Sequence, residues 1–257
     1  MTGDPKDVLS RELEYHEKLY AGFAQRHFAR TAVQALRRHT ARRFLAATGA
    51  GPASRVLSLG CGIGDTELLL APHVAEVVGI DLSPAAIRQA RHDAQRAGVG
   101  NVRFEEGTLD AQGFAPGSFD AILAVFLLHH LPDAMLQELL GMAHQVLAPG
   151  GVFYAIDPSR RRLSGAVGKL LVPRLMAKYQ TADERELDRL ETEAFFTRAG
   201  FRCKAGFYDF ISSPLAGLVP GWRAGYVLAR RLDDLLIRLP LLRLLGSNLE
   251  VVAHKMR

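Results

Sequence analysis

From residue 55 onward, short apolar runs alternate with segments of helical spacing. Val56–Leu59 has the length and composition of a buried strand, and a helix follows from about Asp65 to Leu70. Glu76–Asp81 reads as a second strand ending in a carboxylate. Ser83 then caps a helix through about Ala97, with Pro84 at its first position. Val102–Glu105, Phe119–Val125 and Val152–Ile156 are three further strands; Pro132-Asp133 opens a helix through about Leu147, and Pro149-Gly150-Gly151 is a turn. Five strands with helices between them predict a parallel, doubly wound α/β sheet.

The flanks have another rhythm. Residues 5–48 read as helical with a break near Ala21-Gly22, and 1–50 are expected to form an N-terminal helical lid. Tyr15, Tyr20 and Phe23 suit either a lid or a core stripe. Arg30, Arg37, Arg38, Arg42 and Arg43 are most simply a solvent face. Beyond the fifth strand, 159–183 are basic and in part helical, Ala182–Ala199 form a helix ending at Gly200, and Phe201–Phe210 and Leu249–His254 are strands. An apolar, arginine-studded insertion, 212–247, separates those last two strands. The organisation is therefore one domain over 51–257 with cap insertions at about 159–183 and 212–247.

Length and an apolar fraction of 48% are enough for one well-buried core. Cys61 and Cys203 match no metal-ligand spacing, so no metal is expected. The polar start, the absence of an 18-residue apolar run and the cysteine usage suggest a reduced, cytoplasmic protein. A charge of +5 invites nucleic acid as a partner, but the arginines lie among leucines and alanines rather than in dense clusters, as solvated helix faces do.

Gly60, Gly62 and Gly64 follow the first strand directly, where the chain must turn and a backbone can approach a ligand. A dinucleotide fingerprint would need glycine at Asp65, and a carboxylate beside a pyrophosphate is unfavourable. No Gly-Lys-Ser/Thr follows the loop, so the P-loop pattern is absent as well. Beside a sulfonium with an ammonium group, Asp65 is acceptable. Asp81, at the end of the second strand, is placed to accept hydrogen bonds from ribose hydroxyls. The charges thus favour S-adenosylmethionine.

Six blocks in order carry a resemblance: Val56-Leu-Ser-Leu-Gly-Cys-Gly-Ile-Gly64, Val78-Gly-Ile-Asp-Leu-Ser83, Phe104-Glu-Glu-Gly107, Gly117-Ser-Phe-Asp120, Leu128-His-His-Leu-Pro-Asp133 and Leu147-Ala-Pro-Gly-Gly-Val152. In these the chain resembles the class I S-adenosylmethionine-dependent methyltransferases, on the branch of ubiquinone/menaquinone methyltransferases and natural-product O-methyltransferases. The resemblance implies a Rossmann-like sheet of seven strands, the last antiparallel, with N-terminal helices and a C-terminal helical cap insertion. It also implies that Gly60, Cys61 and Gly62 face the methionine portion of the cofactor through their backbone. Asp81 would hold the ribose hydroxyls with Leu82 beside the adenine, Ser83 would belong to the same cofactor-binding segment, Thr108 and Leu109 would flank the adenine, and Ala124 or Val125 would offer a carbonyl to the ammonium. Two positions depart from the family: Ser58 stands where an acidic residue is usual, and Thr108-Leu109 where Asp-Ala is usual. Asp65 is the nearest substitute for the missing charge.

For the acceptor, the resemblance points to His129 or His130 after the fourth strand and Asp157 after the fifth as groups that serve a hydroxyl. Structural roles, capping or packing at the Pro132 helix, compete with that reading. Ala124-Val-Phe-Leu-Leu128 lacks the Asn/Asp-Pro-Pro-aromatic grip of nucleic-acid amino-methyltransferases, so no nucleic-acid substrate is expected. The apolar 214–246 cap and Leu170–Met176 tilt the acceptor toward a lipid, polyketide, terpenoid or quinone-like molecule. The reading is O-methylation of an apolar small molecule, with S-adenosylhomocysteine as the coproduct. C- or N-methylation, or a non-catalytic cofactor-binding, membrane-associated scaffold, stay open. So does the use of the cap: a packed helix, a lid, a homodimer contact, or a peripheral contact at the inner face of the membrane.

Overall fold

A computed structural model describes Glu14, residues 29–162 and residues 186–256. Tyr15, Tyr20, Phe23 and Leu170–Met176 lie outside the described residues, as do most of the 1–50 lid and of the 159–183 insertion.

The strands are β1 (Arg55–Leu59), β2 (Glu76–Asp81), β3 (Val102–Glu106), β4 (Phe119–Val125), β5 (Leu147–Pro158), β6 (Phe201–Asp209) and β7 (Asn248–Lys255). They form one sheet in the order β3-β2-β1-β4-β5-β7-β6. β1 to β5 pair in parallel, whereas β7 runs antiparallel between β5 and β6. The expected seven-stranded α/β sheet is thus present. β5 begins earlier than the Pro149-Gly150-Gly151 turn suggests, because Leu147 already pairs with Phe119 before a register shift leads into Val152.

The helices are α1 (Thr31–Thr48), α2 (Asp65–Leu70), α3 (Pro84–Ala97), α4 (Asp133–Val146), α5 (Arg189–Arg198), α6 (Ser212–Leu218) and α7 (Arg223–Leu236). Strand alternation divides the core. Leu57, Leu59, Ile122 and Ala124 face Leu136, Leu140, Ala143 and Phe196 on one side of the sheet. Val56, Leu123, Tyr154 and Ile156 face Leu36 and Phe44 of α1, Ala216 of α6 and Tyr226 of α7 on the other. The described part of the N-terminal region is therefore a layer on the sheet. Arg38, Arg42 and Arg43 of α1 are exposed, where the sequence placed them, and Arg43 reaches Glu250 of β7 from that face.

Each α3 boundary has a local cause. Ser83 Oγ accepts the Ala86 N–H at 3.1 Å at the start, and Gly98 ends the helix in the left-handed region.

Topology decides where chemistry can occur. In such sheets the ligand crevice lies beyond the carboxyl ends of the parallel strands, at the point where strand order reverses between β1 and β4. β6 ends at Asp209 and β7 starts at Asn248, both level with Pro158 at the carboxyl end of β5. The 210–247 cap springs from that same edge.

Candidate active site

The carboxyl edge collects the loop after β1, Asp81-Leu82-Ser83 after β2, residues 107–109 after β3, residues 124–130 from β4 and Asp157 of β5. Gly107 N–H donates to the Asp81 carbonyl at 2.9 Å, closing the third of these segments onto the second.

The glycine loop owes its shape to internal packing. Gly64 has φ +78°, and a Cβ there would lie 2.5 Å from the Phe104 ring; Gly60 has φ +64° and would meet Leu127 at 3.0 Å. Cys61 N–H donates to the Ile80 carbonyl at 3.1 Å, and Gly64 N–H to the Cys61 carbonyl at 3.1 Å. Gly62 N–H donates to Asp81 Oδ2 at 2.8 Å. Three loop N–H groups are thus spent inside the protein, and the loop is no nest for a phosphate. Cys61 and Gly62 cannot offer those N–H groups to a cofactor, which narrows their expected backbone role to their carbonyl groups.

Asp81 binds its own surroundings first: Oδ1 accepts Ser83 N–H at 2.9 Å and Oδ2 accepts Gly62 N–H. A carboxylate oxygen accepts more than one hydrogen bond, so a ribose hydroxyl can join these. Ser83 is wholly buried in its capping role. Leu82, Thr108 and Val125 are half-buried at the edge, whereas Leu109 and Ala124 belong to the apolar core.

Against Ser58 stands an acidic residue that the sequence did not single out, Glu67. Buried on α2, it accepts the Ser58 Oγ–H at 2.6 Å. Burial pushes its carboxyl up to about 7, against the pull of the Ser58 hydrogen bond. Asp65, the substitute named from sequence, opens the same helix; its Oδ2 accepts no hydrogen bond, and burial raises its pKa while Arg37 opposes the rise. Asp65, Glu67 and Asp81 together give the loop a carboxylate-rich setting, which suits a sulfonium and ammonium and disfavours a pyrophosphate. The residues present fit S-adenosylmethionine.

On the acceptor side, β4 ends in a strained turn. Phe126 has φ +57°, uncommon for a bulky side chain, and its N–H is held by the Ile156 carbonyl at 2.8 Å. That turn leads into a short helical turn, Leu128–His130. There His129 Nδ1 lies 2.8 Å from Asp157 Oδ1, and His129 N–H donates to the same oxygen at 3.2 Å. The His130 ring lies tilted against that of His129, with centroids 3.9 Å and planes 38° apart. Asp157 is fully buried behind His129, and its Oδ2 accepts no hydrogen bond. Burial pushes its carboxyl up to about 8, while the main-chain N–H groups of 127–129 and the nearby His130 pull the other way. The three expected catalytic residues are adjacent, with Asp157 placed to orient a histidine rather than to reach an acceptor.

Residues 56–151 match the family described as a methyltransferase domain. The chain is 36% identical over 103 residues to an uncharacterized methyltransferase, YcgJ, of Bacillus subtilis, covering 40% of each chain. It is 31% identical over 138 residues to a ubiquinone biosynthesis O-methyltransferase of Xanthomonas campestris, covering 52% of this chain and 57% of that one. A third relative, an S-adenosyl-L-methionine-dependent Diels-Alderase of Talaromyces variabilis, is 28% identical over 78% of this chain and 67% of its own. The chain spans about 40% to 57% of the first two relatives' length. The crystal structure of YcgJ superposes with a TM-score of 0.58 at 22% identity, over 85% of this chain and 99% of that one, a likeness of fold.

Proposed function

The chain carries a class I S-adenosylmethionine-dependent methyltransferase domain, and from that premise we propose that it methylates a hydroxyl group of an apolar small molecule, with His129 as the base. The observation that carries the reading is the His129–Asp157 pair at 2.8 Å, standing at the carboxyl edge beside the glycine loop. Asp81 would hold the ribose and the loop carbonyls the methionine portion, with Glu67 and Asp65 supplying negative charge nearby. When bound, S-adenosylmethionine supplies an electrophilic methyl group on a sulfonium and leaves as S-adenosylhomocysteine.

The protein's own task is alignment and proton removal. With Asp157 ionised, Nδ1–H of His129 donates to Oδ1 and the lone pair at Nε2 accepts the acceptor's hydroxyl proton. With Asp157 protonated, the carboxyl donates to Nδ1 instead, and Nε2 carries the hydrogen. Asp157 therefore selects the tautomer, much as a buried carboxylate does behind other catalytic histidines. The neighbours of the histidines along the chain, Phe126, Leu127 and Leu131, are apolar and half-buried, which suits an acceptor of lipid, polyketide, terpenoid or quinone type. The O-methyltransferase among the relatives supports oxygen as the acceptor atom. Among the described residues no helix is long and apolar enough to cross a membrane.

The test is release of S-adenosylhomocysteine across a panel of hydroxylated aromatic and prenylated acceptors, with His129→Ala as the control. Turnover that survives His129→Ala would overturn the base assignment. A second reading, in which the bound cofactor is never consumed, is favoured by the relative named as a Diels-Alderase; cofactor binding without coproduct release on any acceptor selects it.

A further inference from the structure

α7 is built inside out. Its buried face holds Gly225, Tyr226, Ala229, Arg230 and Asp233. Its outer face carries Leu228, Leu232 and Leu235, and Leu239 continues that stripe in the turn beyond, at spacings that place all four on one side of a helix. Leu228 is 68% exposed, Leu235 60%, and Leu241, just past Pro240, 82%. Leu218, Val219 and Trp222 extend the apolar surface at the turn into α7. Scattered exposed leucines need no explanation, but a contiguous set on one element marks a contact surface.

Hydrogen bonds fix the inversion. Asp233 accepts Ile211 N–H at 3.0 Å and Ser212 N–H at 2.9 Å, and so holds the first residues of α6. Arg230 donates to the Tyr208 carbonyl at 3.0 Å and to Asp234 at 2.8 Å, with its guanidinium over the Tyr208 ring. Turning the leucines inward would strip four hydrogen bonds from buried groups. The apolar face is therefore held outward by the fold.

The charges on that face identify its occupant. Arg223, Arg231, Arg238 and Arg243 stand exposed among the leucines, and none pairs with a carboxylate of another described residue. A second copy docked face to face would bring these cations together, whereas an anionic bilayer complements all four. Leucines and a tryptophan flanked by arginines are the composition of a helix lying in a headgroup layer. We infer that the 218–245 face of the cap docks on an anionic phospholipid membrane, with Leu228, Leu235 and Leu241 inserted and the arginines at the phosphates. The inference concerns location alone and stands whether or not methyl transfer is the reaction.

Trp222 is the sole tryptophan of the chain, so its fluorescence reports on this face directly. The full chain is mixed with vesicles of phosphatidylcholine alone or of phosphatidylcholine with phosphatidylglycerol, and followed by Trp222 emission and by flotation. Docking predicts a blue shift and flotation with the anionic vesicles, weakened by salt. The triple variant Leu228→Ser/Leu235→Ser/Leu241→Ser should bind at least about tenfold more weakly. Arg231→Gln should cost about fivefold on anionic vesicles only. These side chains are exposed, and an unchanged unfolding midpoint checks that each variant folds; the comparison of the two lipids needs no variant. Failure of the wild-type chain to float with anionic vesicles, or equal binding by the leucine variant, overturns the inference. Sedimentation as a dimer that the leucine substitutions dissociate, without vesicle binding, assigns the face to a second copy instead.

Discussion

The carboxyl edge of the sheet and the cap each bury a carboxylate completely, Asp157 in one and Asp233 in the other, yet the two are used differently. Asp233 gives both oxygens to main-chain N–H groups and fastens α7 to α6. Asp157 gives one oxygen to His129 and leaves the other without a hydrogen bond. A fully satisfied buried charge fixes geometry; a partly satisfied one is poised to exchange a proton. The hydrogen bonding thus differs although burial is the same, and under the proposed function only Asp157 takes part in the reaction.

Substitution sharpens that contrast, and the largest expected effect is at the dyad. His129→Ala should lower kcat by about 10²–10⁴-fold with the unfolding midpoint nearly unchanged, measured by coproduct release. Because Asp157 must ionise for Nε2 to act as a base, kcat should climb with pH through about 8 in the wild-type protein. Asp157→Asn should lose that limb of the profile, and a retained limb would assign it to another group.

Next in size is the cap. Asp233→Ala orphans the buried Ser212 N–H and the part-buried Ile211 N–H and should destabilise the chain by about 2 kcal/mol in urea. Leu228→Ser, its apolar counterpart on the outside, should stay within about 0.5 kcal/mol of wild type. The opposite ranking would mean that the leucines, not the buried polar residues, hold the cap. Asp81→Ala should weaken S-adenosylmethionine binding on the order of tenfold by titration calorimetry, the weight of a charge-assisted hydrogen bond. Equal binding would remove Asp81 from the cofactor site.

The two regions also differ in how far the sequence reveals them. Strand alternation and the Ser83, Gly64 and Pro84 signals locate β1 to β4 within a residue or two, because burial and backbone geometry there follow local pattern; β5 starts five residues earlier than its apolar run, on the far side of the Pro149-Gly150-Gly151 turn. The same periodicity identifies α7 as amphipathic but not which side faces in, since Asp233 and Arg230 are satisfied by partners some twenty residues away. At the site, His129, His130 and Asp157 are each legible from the motifs, but their contact is a product of the Phe126 turn, and phenylalanine carries no signal for positive φ. Glu67 reads as an ordinary acid in the first turn of a helix. Only packing against β1 turns it into Ser58's partner.

Glu67 offers the finest test, because the same group has opposite effects on stability and on cofactor binding. Folded Glu67 keeps its proton between the ordinary value of 4.5 and about 7, where the unfolded chain has released it. Stability should therefore fall as pH rises through that window, and Glu67→Gln, which can still bond Ser58, should flatten the slope. Cofactor affinity should run the other way. Above about 7 the ionised carboxylate adds one negative charge near the site of a cation, so the wild-type Kd should tighten across neutrality by about fivefold or less, the weight of one screened charge. Glu67→Gln should show no such tightening in calorimetric titrations on either side of pH 7. If both proteins tighten alike, the carboxylate that replaces the family's acidic residue is Asp65 rather than Glu67, and the Ser58–Glu67 bond serves the loop alone.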